Sequence, residues 1–318
     1  MYATIHLMGG LGNQLFQVFG LLNYAFNYKK KFKFDFEKRD MVSPLDNTSK
    51  RPVYWDTILS KLAPFLTTTA GLPVTFAERG FQYAQIPYFS TEGNPVRLHG
   101  YFQSYKYFQE NYDLILCFLD FHNKIREVRE RYSAEYLDTS SNTVSLHFRI
   151  GDYARNPTFH PILPLEYYIN ALNYIITDQQ GVASLNRVLY FGELQDAVII
   201  EENISRLKVL FPQIAFIQCS YTIPDWEQML LMACCQHNII ANSSFSWWGA
   251  YLNPNVEKMV CYPSVWFGAS VGINTAALFP HGARESAPLA PHGETPLAPH
   301  GETPLAPQLH SGWRCISV

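Results

Sequence analysis

Regular alternation of predicted strands and helices over residues 143–279 is the feature that most constrains the fold. In the first of these strands, Val144, Leu146 and Phe148 face one side while polar residues face the other, which is the period of a half-buried strand. The predicted elements are strands at Thr143–Phe148, Arg187–Phe191, Ala215–Cys219 and Asn238–Ala241, and helices at Leu165–Ile176, at Gln195–Leu210 and from Pro224 onward. Strands that alternate with helices predict a parallel, doubly wound sheet.

A second unit of the same kind opens the chain. Apolar Ala3, Ile5 and Leu7 alternate with polar residues, which predicts a strand. A glycine-rich loop at residues 9–14 follows, and apolar residues then recur at helical spacing in Leu15–Phe26. We therefore predict an α/β protein with two Rossmann-like lobes, whose parallel sheets face a central cleft.

The lobes are expected to divide the chain into an N-terminal lobe at residues 1–142, which carries the glycine-rich loop, and a C-terminal lobe at residues 143–280. Between Lys29 and Glu92, five prolines break any long periodicity, which predicts short helices and loops there. Helical patterning returns at Tyr105–Leu119 and at Phe121–Tyr136.

The end of the chain has a different composition. An eight-residue unit occupies Pro288–Thr295, recurs at Pro296–Thr303 and begins again at Pro304–Pro307. Prolines at this density favour neither helix nor sheet, so residues 281–318 are predicted to be a disordered, low-complexity tail. The folded body is expected to end near Phe279.

Charge and composition exclude several functional classes. With 24 Lys+Arg against 27 Asp+Glu, the net charge of -3 argues against a nucleic-acid groove. Aromatic residues make up 15 % of the chain, and flat rings suit both core packing and the faces of sugars.

Cysteine spacing and hydropathy bear on the compartment. The six cysteines form no CxxC pair and no zinc-type cluster with histidine, so we expect buried free thiols and no metal site. Residues 11–26 are too polar to span a bilayer, and the chain opens without the features of a signal peptide. The compartment stays unknown; the sequence favours a soluble, cytoplasmic protein without a transmembrane segment and leaves peripheral membrane association open.

The glycine-rich loop is the first of three candidate ligand-binding segments. Gly10 and Gly12 let the backbone N–H groups at a helix N-terminus approach an anion, and Asn13 and Gln14 add amide donors. The loop has neither the GK[ST] ending of a P-loop nor the G-x-G-x-x-G spacing of a dinucleotide site. A tight turn without any ligand is the alternative.

The other two segments also follow predicted strands. His147 and Arg149 are two residues apart and point the same way, so Arg149 can bind a diphosphate with its planar fork, and Asp152 can orient Arg149 or cap the next segment. A structural Arg–Asp pair is the alternative. In residues 242–248, serines lie at a predicted helix N-terminus, where their hydroxyl and backbone donors can bind phosphate oxygens. The alternative is that a serine only caps the helix and that the following tryptophans pack in the core.

In order and spacing, the segments 9–17, 147–153 and 242–248 resemble the family of α-1,2-fucosyltransferases (glycosyltransferase family 11), over residues 2–279. The resemblance implies a GT-B-like fold, GDP-fucose as donor, a β-galactoside-terminated glycan as acceptor, and neither a cofactor nor a metal. It also implies that Arg149 binds the donor diphosphate and that Asn13 lies near the reacting sugar.

Three positions depart from the family pattern. Ile150 stands where the family has a second arginine, so either a cationic contact is missing or, because Ile150 points opposite Arg149, the difference is one of packing. Gln228 replaces a frequent aspartate, for which Asp225 or Glu227 can substitute. Glu193 stands where relatives often carry an aspartate, and it is expected to contact the guanine or ribose.

The resemblance thus implies inverting transfer of L-fucose from GDP-β-L-fucose to the 2-hydroxyl of a β-galactoside. The N-terminal lobe (residues 1–142) is then expected to be on the acceptor side, and the C-terminal lobe (residues 143–280) is expected to bind GDP-fucose. The candidate catalytic residues are Arg149, Asn13, Asp152 and His147, with Asp152 and His147 as candidate general bases. The candidate donor-binding residues are Gly10, Gly12, Asn13, Gln14, His147, Arg149, Glu193, Asn242, Ser243, Ser244, Phe245 and Ser246. The alternatives are a degenerate, lectin-like sugar- or GDP-binding relative and, against the glycine pattern, a nucleotide-binding dehydrogenase.

Overall fold

The computed structural model describes residues 2–35, 40–42, 50–67, 73–90, 94–137, 142–178, 185–280 and 312–318. Helices and strands in these ranges build two parallel sheets with a cleft between them. Short 3-10 helices lie at Ser60–Phe65, Tyr105–Tyr107, Gln109–Asn111, Gly151–Arg155, Leu194–Asp196 and Ala269–Val271.

The first lobe contains a five-stranded sheet. Its strands are β1 (Tyr2–Ile5), β2 (Lys31–Asp35), β5 (Leu66–Thr67), β6 (Val74–Ala77) and β7 (Val96–His99), and a separate antiparallel hairpin consists of β3 (Asp40–Val42) and β4 (Lys50–Pro52). The sheet order is β5-β2-β1-β7-β6, and every neighbouring pair is parallel. The helices are α1 (Leu11–Asn27), α2 (Tyr112–Leu119) and α3 (Phe121–Tyr136).

The second lobe contains a six-stranded parallel sheet in the order β10-β9-β8-β11-β12-β13. Its strands are β8 (Asn142–His147), β9 (Leu185–Phe191), β10 (Ala215–Gln218), β11 (His237–Ile239), β12 (Val260–Pro263) and β13 (Trp313–Ile316). Its helices are α4 (Leu165–Asp178), α5 (Ala197–Leu210), α6 (Asp225–Ala233) and α7 (Ser244–Tyr251). The predicted two-lobed, GT-B-like α/β architecture is confirmed.

The predicted secondary structure of residues 29–92 was wrong. Instead of short helices and loops alone, this stretch adds β2, β5 and β6 to the first sheet. In β2, lysine alternates with phenylalanine, and Phe34 is fully buried while Lys31 and Lys33 are exposed. That alternation is a strand signal, which the surrounding prolines obscure.

The end of the chain corrects a second prediction. Residues 281–311, which include the octapeptide repeats, lie outside the described residues, but β13 follows them and pairs in parallel with β12. Trp313 packs 5.8 Å from Trp247 and 6.0 Å from Phe279, measured between ring centroids. The folded body therefore does not end at Phe279, because apolar residues close to the C-terminus complete the edge of the second sheet.

Aromatic rings join the two lobes. On α1, Phe16 lies 4.5 Å from Trp247 of α7 and Phe19 lies 4.6 Å from Trp248, measured between ring centroids. Phe108 stacks on Trp248 from the first lobe at 5.3 Å. One continuous apolar core thus runs across both lobes, and it fixes the N-termini of α1 and α7 side by side. No helix in the described ranges is long and apolar enough to cross a bilayer.

Candidate active site

A cavity of about 400 Å³ lies between the lobes, where strands of both sheets reach their carboxyl ends. This edge of a parallel sheet is where open α/β proteins bind ligands. The first lobe supplies the lining residues Gly9, Gly10, Leu11, Gly12, Asn13, Pro52, Tyr54, Tyr101 and Gln103. The second lobe supplies residues that follow β8 to β12, including all three carboxylates among the described lining residues: Asp152, Glu193 and Asp225.

The three motif segments meet at this cavity. Eleven of the predicted residues line it: Gly10, Gly12, Asn13, His147, Arg149, Asp152, Glu193, Asn242, Ser243, Ser244 and Phe245. Their assignment to donor binding and catalysis stays a prediction, which the convergence of separate strand ends supports.

Gln14 and Ser246 do not line the cavity, because both side chains are buried and bound to backbone. The Gln14 amide donates to the carbonyls of Gly9 at 3.0 Å and Pro52 at 2.8 Å. The Ser246 hydroxyl donates to the Ser243 carbonyl at 3.4 Å. Their expected ligand contacts are therefore corrected to structural roles: Gln14 ties the glycine loop to the hairpin, and Ser246 bonds within the first turn of α7.

Arg149 carries the positive charge that faces the cavity beside the two helix N-termini. Its guanidinium donates to Glu193 and, at 2.5 Å, to Asp152, and it lies 5.2 Å from the Tyr153 ring centroid. Burial lowers the pKa of Arg149, but the Glu193 and Asp152 carboxylates outweigh burial and hold that pKa above its ordinary value. The predicted orientation of Arg149 by Asp152 matches this geometry, and the structural pair left open by the sequence is also present.

Glu193 was expected to contact the guanine or ribose, but in the structure its carboxylate is bound to neighbouring side chains. Its Oε1 accepts from Arg149, and its Oε2 accepts from the Gln195 side chain at 2.5 Å. The carboxylate therefore occupies the arginine fork on which a diphosphate is expected to bind.

The glycine loop touches α7 across the interlobe boundary. An ideal Cβ placed on Gly12 would lie 2.4 Å from the carbonyl carbon of Ser244, so only glycine fits there. Next to it, Oδ1 of Asn13 accepts from the Ser244 hydroxyl at 2.7 Å and from the Gln103 amide at 2.8 Å. Two helix N-termini are thereby directed at one cavity, and their dipoles favour a bound anion.

His147 is buried behind Arg149, with its ring 5.5 Å from that of Phe245. Burial, reinforced by the charge of Arg149, lowers the pKa of His147 to about 3. The imidazole is therefore neutral at pH 7 and too weakly basic to act as a general base. Asp152, the other candidate base, is already bound to Arg149.

Burial of the side chains decides between the interpretations of two positions that depart from the family pattern. Ile150 is 6 % exposed and packs in the apolar core that contains Phe148, so it does not line the cavity and the packing interpretation applies. Glu227 is buried and accepts from Arg131 and Tyr132, away from the cavity. Asp225 alone of the two acidic substitutes lines the cavity.

Several lining residues were missed by sequence reasoning, among them Tyr54, Tyr101, Gln103, His160 and Phe267. They lie in irregular segments that carry no motif, and long-range contacts bring them to the site. The only available signal was position: Tyr101 and Gln103 follow β7 as Arg149 follows β8.

Comparison with known proteins places this architecture in a family. The sequence profile described as Glycosyl transferase family 11 matches residues 81–264, which is more than half of the chain. The O-antigen biosynthesis glycosyltransferase WbnK of Escherichia coli is 37 % identical over 51 % of this chain and 49 % of its own length. An alpha-1,2-colitosyltransferase of Escherichia coli is 30 % identical over 40 % of this chain and 42 % of its own length. This chain thus spans about half of each relative, or less.

Among solved structures, fucosyltransferase NodZ from Bradyrhizobium overlaps 80 % of this chain and 94 % of that one, with 13 % identity and a TM-score of 0.44.

The match to the sequence profile covers β7 to β12 and with them Arg149, the serine segment and most of the cavity. The chain therefore belongs to glycosyltransferase family 11.

Proposed function

We propose that the protein transfers L-fucose from GDP-β-L-fucose to the 2-hydroxyl of a β-galactoside, with inversion at the anomeric carbon. The observation that carries this proposal is the convergence of Arg149 and the N-termini of α1 and α7 on one interlobe cavity. A guanidinium and two helix dipoles are suited to a diphosphate, and membership in family 11 supports sugar transfer.

The chemistry follows from the charge that develops on the leaving group. As the sugar–phosphate bond breaks, negative charge grows on the departing diphosphate, and fixed donors that face it lower the barrier. Arg149, the Ser243 hydroxyl and the backbone N–H groups of the glycine loop and of Ser244 at the N-terminus of α7 supply such donors without a metal. Asn13, held by Ser244 and Gln103, lies where the two lobes meet and is assigned to the reacting sugar.

A second candidate is transfer of a colitosyl rather than a fucosyl residue, which the name of one relative favours. A third is a non-catalytic sugar- or GDP-binding protein. It is suggested by Ile150, which stands where the family has a second arginine. Calorimetry with GDP separates a pure lectin, which binds glycan but not GDP, from the first two candidates. A degenerate protein that still binds GDP is separated from them by the absence of a product. A dehydrogenase would instead be stabilised against thermal unfolding by NAD.

The decisive experiment incubates the protein with GDP-fucose or GDP-colitose and a panel of lactose, N-acetyllactosamine and a type 1 chain. Mass and linkage analysis of the products identifies donor, acceptor and bond. The proposal expects an α-1,2-fucosylated galactoside, formed also after treatment with EDTA. GDP binding without any product would support the degenerate relative instead.

A further inference from the structure

From the contacts of the cavity carboxylates we infer that Asp225 is the general base that takes the proton from the acceptor hydroxyl. This inference rests on the proposed transferase function and deepens it, because it assigns the group that the glycine loop, Arg149 and the serines do not provide.

The carboxylates that line the cavity differ in their partners. Asp152 and Glu193 both accept from Arg149, so both lie on the side of the cavity that is expected to hold the diphosphate. Asp225 forms no ion pair with a Lys or Arg among the described residues. A carboxylate without a cation partner remains available to accept a proton.

The position of Asp225 is fixed from both lobes. It is the first residue of α6, where its Oδ1 accepts from the Trp226 backbone N–H at 2.8 Å. Its Oδ2 accepts from the hydroxyl of Tyr54, a residue of the first lobe that is 6 % exposed. Each oxygen therefore keeps a lone pair for a further donor, while the two hydrogen bonds hold the carboxylate at the cavity wall.

Asp225 also contacts the first lobe, which is expected to bind the acceptor. Its bond to Tyr54 joins the second lobe to the segment after β4, and Pro52 and Tyr54 line the cavity there. Arg149 lies at the end of β8 in the second lobe. A galactoside entering along the first lobe thus meets Asp225, while the diphosphate lies against Arg149.

The step balances as a single displacement. The acceptor O–H bond breaks and its proton passes to an Asp225 oxygen, while the acceptor oxygen forms a bond to the anomeric carbon. The bond between that carbon and the β-phosphate oxygen breaks, and its electron pair leaves with GDP. Asp225 returns its proton to water after the products depart.

The test compares Asp225→Asn with the wild-type protein. In Asp225→Asn the amide oxygen can still accept from the Trp226 N–H, and the amide NH2 can donate to the Tyr54 hydroxyl instead of accepting from it. The fold and the GDP affinity measured by calorimetry should therefore be unchanged. The turnover number should fall by at least about 100-fold, the range expected for a lost general base. Glu202→Gln, on the exposed face of α5, is the matched control and should leave turnover unchanged.

A second variant separates catalysis from structure. In Asp225→Ala, added sodium formate should restore part of the lost turnover, because a small carboxylate can occupy the space of the deleted one, whereas a purely structural loss would not respond to formate. The inference is overturned if Asp225→Asn retains a comparable turnover number, or if formate has no effect on an Asp225→Ala protein that still binds GDP. If the wild-type protein transfers no sugar from either donor, the proposed function and this inference fail together.

Discussion

Arg149 and Glu193 form a direct ion pair inside the cavity, with one carboxylate oxygen of Glu193 accepting from the guanidinium. The Arg149 side chain is 16 % exposed and that of Glu193 is 39 % exposed, so the carboxylate is the partner that is freer to move. A bound diphosphate needs the same N–H groups and would be repelled by the carboxylate. Donor binding is therefore expected to displace Glu193 from Arg149.

Glu193→Gln should tighten GDP binding, because it removes the charge that competes for Arg149. A charge-assisted hydrogen bond contributes roughly 1.5–3 kcal/mol, of which only the competing part is recovered, so an increase in affinity of about three- to tenfold is expected. Isothermal titration with GDP measures this effect, with Glu202→Gln as the exposed control. An unchanged or weaker affinity would show that Glu193 does not oppose the donor.

Arg149→Ala should abolish GDP release in a donor turnover assay. The substitution removes the fork and also leaves Asp152 and Glu193 facing the diphosphate without a cation. Arg149→Lys keeps the charge but loses the bidentate geometry, so it should retain weak binding. Arg155→Ala, at an exposed neighbouring arginine, is the control. A near-wild-type rate in Arg149→Ala would refute the assigned role.

Gly12 and Gly10 offer a matched pair in one loop. A methyl group on Gly12 would meet the Ser244 backbone, whereas one on Gly10 meets nothing within 4 Å. Gly12→Ala should therefore destabilise the protein by about 1–3 kcal/mol, as overpacking does, and move α1 away from α7. Gly10→Ala should leave the free energy of unfolding close to that of the wild-type protein. Urea denaturation of both variants tests the difference, and equal destabilisation would argue against the close contact.

Ile150→Arg should not supply the missing family arginine. Ile150 is buried in the core of the second lobe, so a charge there would be unpaired and should lower the free energy of unfolding by about 3–5 kcal/mol. Ile150→Val should cost only about 1 kcal/mol. Thermal unfolding and GDP titration check both, and a stable Ile150→Arg protein with tighter GDP binding would contradict this assignment.

The part of the site that could be predicted is the part that is local in sequence. The glycine loop, Arg149 and the serine segment each follow a strand directly, so the strand pattern alone places each of them at the carboxyl edge of its own sheet, and both edges face the cavity. Tyr54 and Gln103 carry no such pattern. Packing of one lobe against the other brings Tyr54 to Asp225, and packing within the first lobe brings Gln103 to Asn13.

Two further features could not be predicted because each depends on a partner that is distant in sequence. The pairing of β13 with β12 follows a long proline-rich insertion, and the composition of that insertion said nothing about the strand behind it. The ion pair of Glu193 with Arg149 joins two strand ends, and a residue's type does not reveal whether its charge faces a ligand or a neighbour.

Glu78 gives the protein a pH dependence that the sequence did not indicate. Its Oε2 accepts from the backbone N–H groups of Tyr101 at 2.8 Å and Phe102 at 2.9 Å, so this carboxyl holds the segment that brings Tyr101 and Gln103 to the cavity. Burial raises the pKa of Glu78 from 4.5 to about 7, although the two N–H donors lower it.

Because this pKa is higher in the folded protein, the folded state binds more protons than the unfolded state between pH 4.5 and 7. The contribution of Glu78 to stability is therefore greatest below pH 4.5 and falls as pH rises through 7, by on the order of 3 kcal/mol. Glu78→Gln cannot titrate, so its free energy of unfolding should decline less than that of the wild-type protein between pH 5 and pH 8. Urea denaturation at both pH values measures this difference. His147 titrates in both proteins and cancels in the comparison, so identical pH dependence would show that Glu78 is already ionised at pH 5.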